Sequence, residues 1–361
     1  MNFLTTHLKK LDWILIGSTI LLVSIGLVSI YSSSRGDFLN FKKQLVFSFI
    51  GLFLMILISF LDWRAFGENP YLILTLYSLC CLSLVGLFFF APQIRGVRSW
   101  YKIGPFSIDP IEPTKLVLII LLAKYFSERH IEMYRIHHIL ISALYIFIPS
   151  FLTFFQPDLG SVLILISLWI TILIVSGIKL KHFFLLCLTF FLIFILGWSF
   201  FLKDYQKKRI LSFLNPHLEP LGTGWSQKQA QIAIGTGGIF GKGFKKGSQT
   251  QYGFLPVPQT DFIFSAIAEE MGLFGILIIL FLFSVLIFRI IKIAFEQRGN
   301  FPRLFATGLM ALLISQIFVH CGMNLGILPI IGISLPFVSY GGSNLITLFL
   351  ALGILQSIKI H

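Results

Sequence analysis

Ten stretches of this chain stay apolar for roughly the 20 residues that a helix needs to cross a bilayer, and nothing else limits the fold as much. They lie near 11–31, 44–61, 71–91, 113–127, 138–155, 159–177, 182–202, 261–291, 304–324 and 340–358, the fourth being the shortest. Runs such as HFFLLCLTFFLIFILGWSFFL (182–202) lack the inside–outside alternation of a membrane strand. Inside a bilayer a chain must also satisfy its own backbone polar groups, which a helix does within one segment. The expected fold is therefore an all-α polytopic membrane protein of about ten transmembrane helices, not an outer-membrane barrel. A chain that is 56% hydrophobic and 12% charged, with a mean hydropathy of +0.89, is too apolar for the surface of a soluble domain.

Lys9 and Lys10 precede the first run, as in a secretory signal peptide. The run is about 20 residues, longer than the usual 7–15-residue apolar region of such a signal, so it is read as a retained first span. Orientation follows from the positive-inside bias. With the N-terminus inside, the cytoplasmic set holds thirteen basic residues, from Lys9 and Lys10 through Arg64, Lys124, Arg289 and Arg303 to Lys359, against seven in the opposite short loops. Both termini are thus expected in the cytoplasm, with residues 1–361 as a single membrane-embedded domain. The long connection between the seventh and eighth helices, 203–260, is expected as an extracytoplasmic loop. It adds Lys203, Lys207, Lys208, Arg209, Lys228, Lys242, Lys245 and Lys246 against Asp204 and Glu219. These are either solvated charges or a surface that draws an anion, such as a phosphate, to the outer leaflet. No nucleic-acid motif accompanies them.

Cys80, Cys81, Cys187 and Cys321 fall inside apolar spans, where free Cys acts as a small hydrophobe. No dinucleotide fingerprint, Walker motif or zinc-type His pair occurs, and no organic cofactor is expected. His137 and His138 sit in a charged turn and are read as solvated.

One acid stands out. In FLPVPQTDFIFSAIAEE (254–270), Asp261 marks the point where the polar loop enters an apolar helix, and an ionisable group there is a functional candidate. Four other polar segments share its side of the expected topology. In RGVRSWYKIGPFSIDPIEPTKL (95–116), Glu112 and Lys115 stand three apart and can pair on a helix, either as a self-satisfied pair or as part of a site. In FFQPDLGSVL (154–163), Asp158 heads the next span as a helix cap or a site residue. The glycines of NPHLEPLGTGWSQKQAQIAIGTGGIFGKGF (215–244) permit close backbone approach to a ligand. In IGISLPFVSYGGSNLI (331–346), Ser339, Tyr340 and Ser343 lie at a broken entry to the last span, a feature tolerated where backbone lines a cavity.

Together QPDLGSVL, the 215–244 segment, GSQTQYGFLPVPQTDFIFSAIAEEMGLFG and GMNLGILPIIGISLPFVSYGGSNL resemble the shape, elongation, division and sporulation (SEDS) family of cell-wall polymerases, RodA more than FtsW. The likeness covers nearly the whole chain. It implies the ten-span SEDS fold and a bacterial peptidoglycan glycosyltransferase that polymerises lipid II at the outer face of the cytoplasmic membrane. It further implies a class B penicillin-binding transpeptidase of the elongation machinery as partner. Carried over by motif, the essential acid matches Asp261, the family's Glu and Lys match Glu112 and Lys115, and the QPDLG acid matches Asp158. Arg209 matches a basic position before the NP motif. Gln259 stands where the family commonly has His, and Asp109-Pro110-Ile111-Glu112 replaces Gln-Pro-Ser-Glu, adding a negative charge.

Glycan polymerisation needs a base for the acceptor hydroxyl, and partial desolvation at a membrane edge strengthens a carboxylate in that role. Asp261 is the candidate base. Arg209, Lys115 and the Gly-rich loop are candidates to stabilise the departing pyrophosphate, and Ser339 to bind substrate, with Mg²⁺ as a candidate helper. Glu269 and Glu270, about 12 and 13.5 Å further along the helix, are read as structural. Two rival functions fit the same spans: a flippase for the lipid-linked precursor, and a non-catalytic scaffold for the transpeptidase.

Overall fold

Among the described residues, each of the ten apolar runs carries a helix. A computed structural model describes residues 3–67, 69–93, 98–104, 106–129, 136–196, 207 and 223–361. In chain order the helices are α1 (Phe3–Lys10), α2 (Trp13–Ser32), α3 (Leu39–Ser59), α4 (Arg64–Gly67), α5 (Pro70–Phe90), α6 (Ile111–Arg129), α7 (Ile136–Phe155) and α8 (Leu159–Val175). They continue as α9 (Leu180–Leu196), α10 (Thr223–Gly237), α11 (Ser248–Gln251), α12 (Ile263–Glu296), α13 (Asn300–Leu325) and α14 (Gly342–Ile360). A small antiparallel hairpin, β1 (Tyr101–Ile103) with β2 (Phe106–Ile108), pairs Tyr101 with Ile108 ahead of α6.

Helices α2, α3, α5, α7, α12, α13 and α14 are each long and apolar enough to cross a membrane, and α8 and α9 are shorter apolar helices. The tenth span, α6, is the most polar, yet it is buried from Thr114 through Ala123. Its charges therefore have to be paired, since an unpaired charge away from water is costly. The outer helices turn phenylalanines away from the protein, among them Phe49 and Phe53 on α3 and Phe184 and Phe191 on α9. On α12, Phe274, Phe281, Phe288 and Phe295 repeat every seven residues along one exposed face. Much of the chain's load of 40 Phe thus faces outward.

The two ends of the bundle differ in chemistry. At one end both termini meet: His7 Nε2 lies 3.2 Å from Ser59 Oγ, and the Asp12 N–H donates to Gln356 Oε1 at 2.9 Å. Asp12, fully buried, caps α2 and accepts from Arg289 Nε at 2.9 Å and Lys359 Nζ at 3.3 Å. Burial pushes the Asp12 carboxyl up, but the Arg289 hydrogen bond, the Leu15 N–H and the Lys359 charge outweigh it and hold it below the usual range. His138 also corrects its expectation: it is buried, with Nδ1 2.9 Å from Tyr125 Oη. Helix α7 starts early enough to turn that ring against α6.

At the other end lie the polar segments. The expected 203–260 loop is partly ordered helix. Its described part forms α10 and the turn α11, and Ala230 and Ala233 are fully buried. Glycine richness hid this, because the glycines serve contact between chain segments. A Cβ on Gly237 would stand 1.9 Å from the Ala268 carbonyl oxygen, and one on Gly241 2.2 Å from that of Glu270. The approach matches a break in α12 at Gly272, where φ is 68° and ψ −165°. Strand-like pairing across the break satisfies the freed backbone. Lys242 and Gly243 N–H donate to the carbonyls of Glu269 (2.9 Å) and Glu270 (3.0 Å), while Leu273 and Phe274 N–H donate to those of Gly238 (2.9 Å) and Ile239 (3.1 Å). Left unpaired, each such group would cost about 1–3 kcal/mol.

Candidate active site

Asp261 sits just ahead of α12, half-buried. Its backbone is held from α13: Asn324 Nδ2 donates to the Asp261 carbonyl at 2.9 Å, and Asn324 Oδ1 accepts from Ser265 Oγ at 2.6 Å. One turn earlier on α13, His320 Nδ1 lies 2.7 Å from the Ile333 carbonyl. The same helix face thus anchors both the acid and the loop before α14. That loop passes beside the carboxylate, since a Cβ on Gly332 would stand 3.9 Å from Asp261 Oδ2.

The rest of 331–341 is pinned to the segment preceding Asp261. Ser339 Oγ donates to the Thr260 carbonyl at 2.8 Å and accepts from Leu335 N–H at 2.9 Å, and the Tyr340 N–H donates to the Gln259 carbonyl at 2.8 Å. From α3, Asn40 Nδ2 donates to Gln259 Oε1 at 2.7 Å, and Gln44 Nε2 to the Ser339 carbonyl at 3.2 Å. Ser339 is buried, and its hydroxyl braces the segment that leads to Asp261.

The second cluster forms where α6, α8 and α14 begin. Lys115 Nζ bonds Glu112 Oε1 at 2.8 Å, and its side chain is only 1% exposed. Asp158 caps α8 in full, with Oδ1 accepting from Ser161 N–H at 3.0 Å and Oδ2 from Ser161 Oγ at 2.7 Å. Asp109 completes the group. Its N–H donates to Ser343 Oγ at 2.9 Å, and its Oδ1 accepts from the Ile111 N–H at 3.2 Å. Burial, followed by the charges of Glu112 and Asp158, pushes the Asp109 carboxyl well above the ordinary range, and Lys115 offsets this only in part. This cluster borders the same loop as Asp261, because Gly160, two residues after Asp158, packs on Ile331 and Ile333. Among the described residues no three His, Cys, Asp or Glu are grouped so as to hold a metal ion.

The break in α12 places Glu269 and Glu270 under the 242–251 segment. Glu269, with no exposed side-chain surface, accepts from Gln249 N–H (2.8 Å), Thr250 N–H (2.9 Å), Thr250 Oγ1 (2.8 Å) and Lys242 Nζ (3.1 Å). Glu270 accepts from Ser32 Oγ at 2.6 Å and Gln251 Nε2 at 3.0 Å. Their partners lie in this overlying segment and in α2. Beside it, a cavity of about 310 Å³ opens between the end of α2 and the approach to Asp261, lined by Arg35, Gly253, Leu255, Pro258 and Gln259 among others.

Of the residues singled out in the sequence, Asp261, Ser339, Glu112, Lys115 and Asp158 gather at this end around one loop. Arg209 lies outside the described residues. Sequence reading passed over Arg35, Asn40, Gln44, His320 and Asn324. A signal existed for the last two, as buried polar residues four apart on an otherwise apolar span.

The cell cycle protein family of FtsW, RodA and SpoVE matches residues 9–361. Stage V sporulation protein E of Bacillus subtilis is 35% identical, with 99% of each chain covered. The peptidoglycan glycosyltransferase MrdB of Escherichia coli K12 is also 35% identical, covering 98% of this chain and 96% of its own. The peptidoglycan glycosyltransferase RodA of Treponema pallidum is 30% identical, covering 96% and 97%. Among solved structures, a chain described under "structural coordination of polymerization and crosslinking by a peptidoglycan synthase complex" superposes with a TM-score of 0.83 at 31% identity, covering 97% of both chains. The rod shape determining protein RodA of Thermus thermophilus gives 0.72 at 28% identity, covering 97% of this chain and 96% of its own. With the family matched along nearly its whole length and relatives this similar end to end, the chain belongs to the FtsW/RodA/SpoVE family of cell cycle proteins.

Proposed function

We propose that this protein is a peptidoglycan glycosyltransferase that polymerises lipid II at the outer face of the bacterial cytoplasmic membrane, with Asp261 as general base. The observation that carries the reading is the setting of that carboxylate. It is half-buried at the end of the bundle away from the termini, with its backbone fixed by Asn324, the segment before it braced by Ser339, and a cavity two residues upstream at Gln259. A base fixed in this way loses little orientational freedom at the moment of reaction.

In the proposed step, an acceptor sugar hydroxyl gives its proton to Asp261 as its oxygen bonds to the anomeric carbon of the donor. The bond from that carbon to the phosphate oxygen breaks, and undecaprenyl pyrophosphate leaves with the electron pair. Lys115 is committed to Glu112 and buried, so its part is to keep the α6 entrance neutral enough to approach a polyanion. Asp158 and Ser339 shape the site through the α8 terminus and the loop before α14. Mg²⁺ keeps its proposed place as a helper at the departing pyrophosphate, where such an ion is held by substrate phosphates and one or two carboxylates. Arg209 keeps its proposed role at the leaving group, and the proposed partner is a class B penicillin-binding transpeptidase of the elongation machinery. A relative's place in a complex that couples polymerization to crosslinking supports that partner.

One reconstitution tests the function as a whole. Lipid II is supplied only on the face opposite the termini, with and without the transpeptidase, and both polymer and lipid transfer are scored. Polymer is the expected product. Lipid transfer without polymer would identify a flippase, and neither product a scaffold.

A further inference from the structure

We propose that Arg35 is an anion-binding residue of this site, holding a phosphate oxygen of the lipid-linked substrate in the cavity beside Gln259. The inference rests on the glycosyltransferase reading for the identity of the anion. It rests on geometry for the site itself.

Arg35 stands in the turn after α2 with φ 48°, a left-handed backbone conformation that a non-glycine residue adopts only where the surroundings impose it. Its guanidinium is held from one side by the chain. Nε donates to the Thr250 carbonyl at 3.0 Å, and Nη2 donates to the same oxygen. Nη1 passes over Gly253, where a Cβ would come within 2.7 Å of it, and Gly253 itself has φ 86°. Thr250 is fixed in turn by Glu269, which accepts from its N–H and its hydroxyl. A buried carboxylate in α12 therefore sets the position of an exposed cation through one intervening residue.

The cation's charge is unspent. The neutral Thr250 carbonyl is its hydrogen-bond acceptor, and among the described residues no carboxylate pairs with it. Arg35 lines the cavity of about 310 Å³ together with Gly253, Leu255, Pro258 and Gln259, and the guanidinium has N–H groups beyond those given to Thr250. That volume is at the small end for a ligand cleft and suits a phosphate group with the start of its substituent. A guanidinium binds phosphate through a planar set of donors that an ammonium does not offer. Gln259 links the cavity to Asp261 two residues on, so an anion held by Arg35 lies on the approach to the proposed base.

The test measures binding directly and so does not depend on turnover. Wild-type, Arg35→Gln, Arg35→Lys and Asp261→Asn proteins in nanodiscs are titrated with undecaprenyl pyrophosphate, which has phosphate but no peptide, and with a soluble muramyl pentapeptide, which has carboxylates but no phosphate. Arg35→Gln should weaken undecaprenyl pyrophosphate binding about tenfold or more and leave the muramyl peptide unaffected. Arg35→Lys, which keeps the charge, should recover part of the loss, and Asp261→Asn should bind the pyrophosphate as wild type does. In turnover assays Arg35→Gln should raise KM more than it lowers kcat. Equal pyrophosphate affinity in wild type and Arg35→Gln would overturn the proposal, as would a loss confined to the muramyl peptide. If Arg35→Gln does not fold, full wild-type affinity in Arg35→Lys overturns it. A wild type that binds pyrophosphate through Arg35 yet makes no polymer would sink the glycosyltransferase reading and leave the anion site standing.

Discussion

Replacing Glu269 by Ala should loosen the approach to Asp261 from below. Its carboxylate accepts two backbone N–H groups, at 2.8 Å from Gln249 and 2.9 Å from Thr250, together with the Thr250 hydroxyl and the Lys242 ammonium. Thr250 is fully buried, so its N–H and hydroxyl lose their acceptor without access to water, at about 1–3 kcal/mol for each orphaned group. Gln249 and Lys242 are partly exposed and recover part of their loss from solvent. The expected cost is about 3–5 kcal/mol, in line with removing one partner of a buried charged pair. Glu269→Gln keeps one acceptor oxygen and should cost about half as much. Two readouts check this in purified protein: thermal unfolding, and amide hydrogen exchange at Gln249 and Thr250, which should speed up more than exchange in the middle of α13. Exchange and unfolding like those of wild type in Glu269→Ala would show that the α12 break and the segment above it are held by something other than this carboxylate.

Asn324→Leu removes the donor to the Asp261 carbonyl and the acceptor for Ser265. It should cost about 2–4 kcal/mol in stability and lower kcat more than it raises KM, as steady-state kinetics on lipid II would record. At the opposite end, Asp12→Ala leaves Arg289 and Lys359 without their buried partner. It should destabilise the bundle by about 3–5 kcal/mol in thermal unfolding, while protein that remains folded keeps its affinity for substrate. Asp109 has a pH signature. Its carboxyl is raised in the folded protein, so folding disfavours its ionisation, and stability is lost as pH rises from about 3.9, the unfolded value, up through the folded one. Asp109→Asn should abolish that loss and be the more stable protein at neutral pH, with the two converging near pH 4; unfolding curves across pH would record the convergence.

The ten helices are legible because bilayer length and continuous apolar runs leave little choice of secondary structure. Their ends shift where chemistry continues past the apolar stretch, as at α3, which begins at Leu39 and takes Lys42 and Lys43 into its first two turns. The acid at 261 and the Glu112–Lys115 pair are legible from position and spacing. What pattern reading missed is contact between distant segments. Glycines at 237 and 241 look like a ligand loop until Ala268 and Glu270 are seen against them. The bonds of the Ser339 hydroxyl to Thr260 and Leu335 are likewise invisible in the sequence. Arg35 is one basic residue among many until the fold lays it over Gly253 and beside Gln259. Period and composition carry no information about such pairings, which are set by how helices far apart in sequence pack.

The central claim is that Asp261 removes the acceptor proton. Purified Asp261→Asn protein, titrated with lipid II and then assayed for glycan strands beside wild type, tests it most directly. Affinity within about twofold of wild type with no polymer is the expected result, since the amide keeps the shape of the carboxylate and loses its basicity. Glycan strands formed by Asp261→Asn at a rate near that of wild type would remove Asp261 from the role of base.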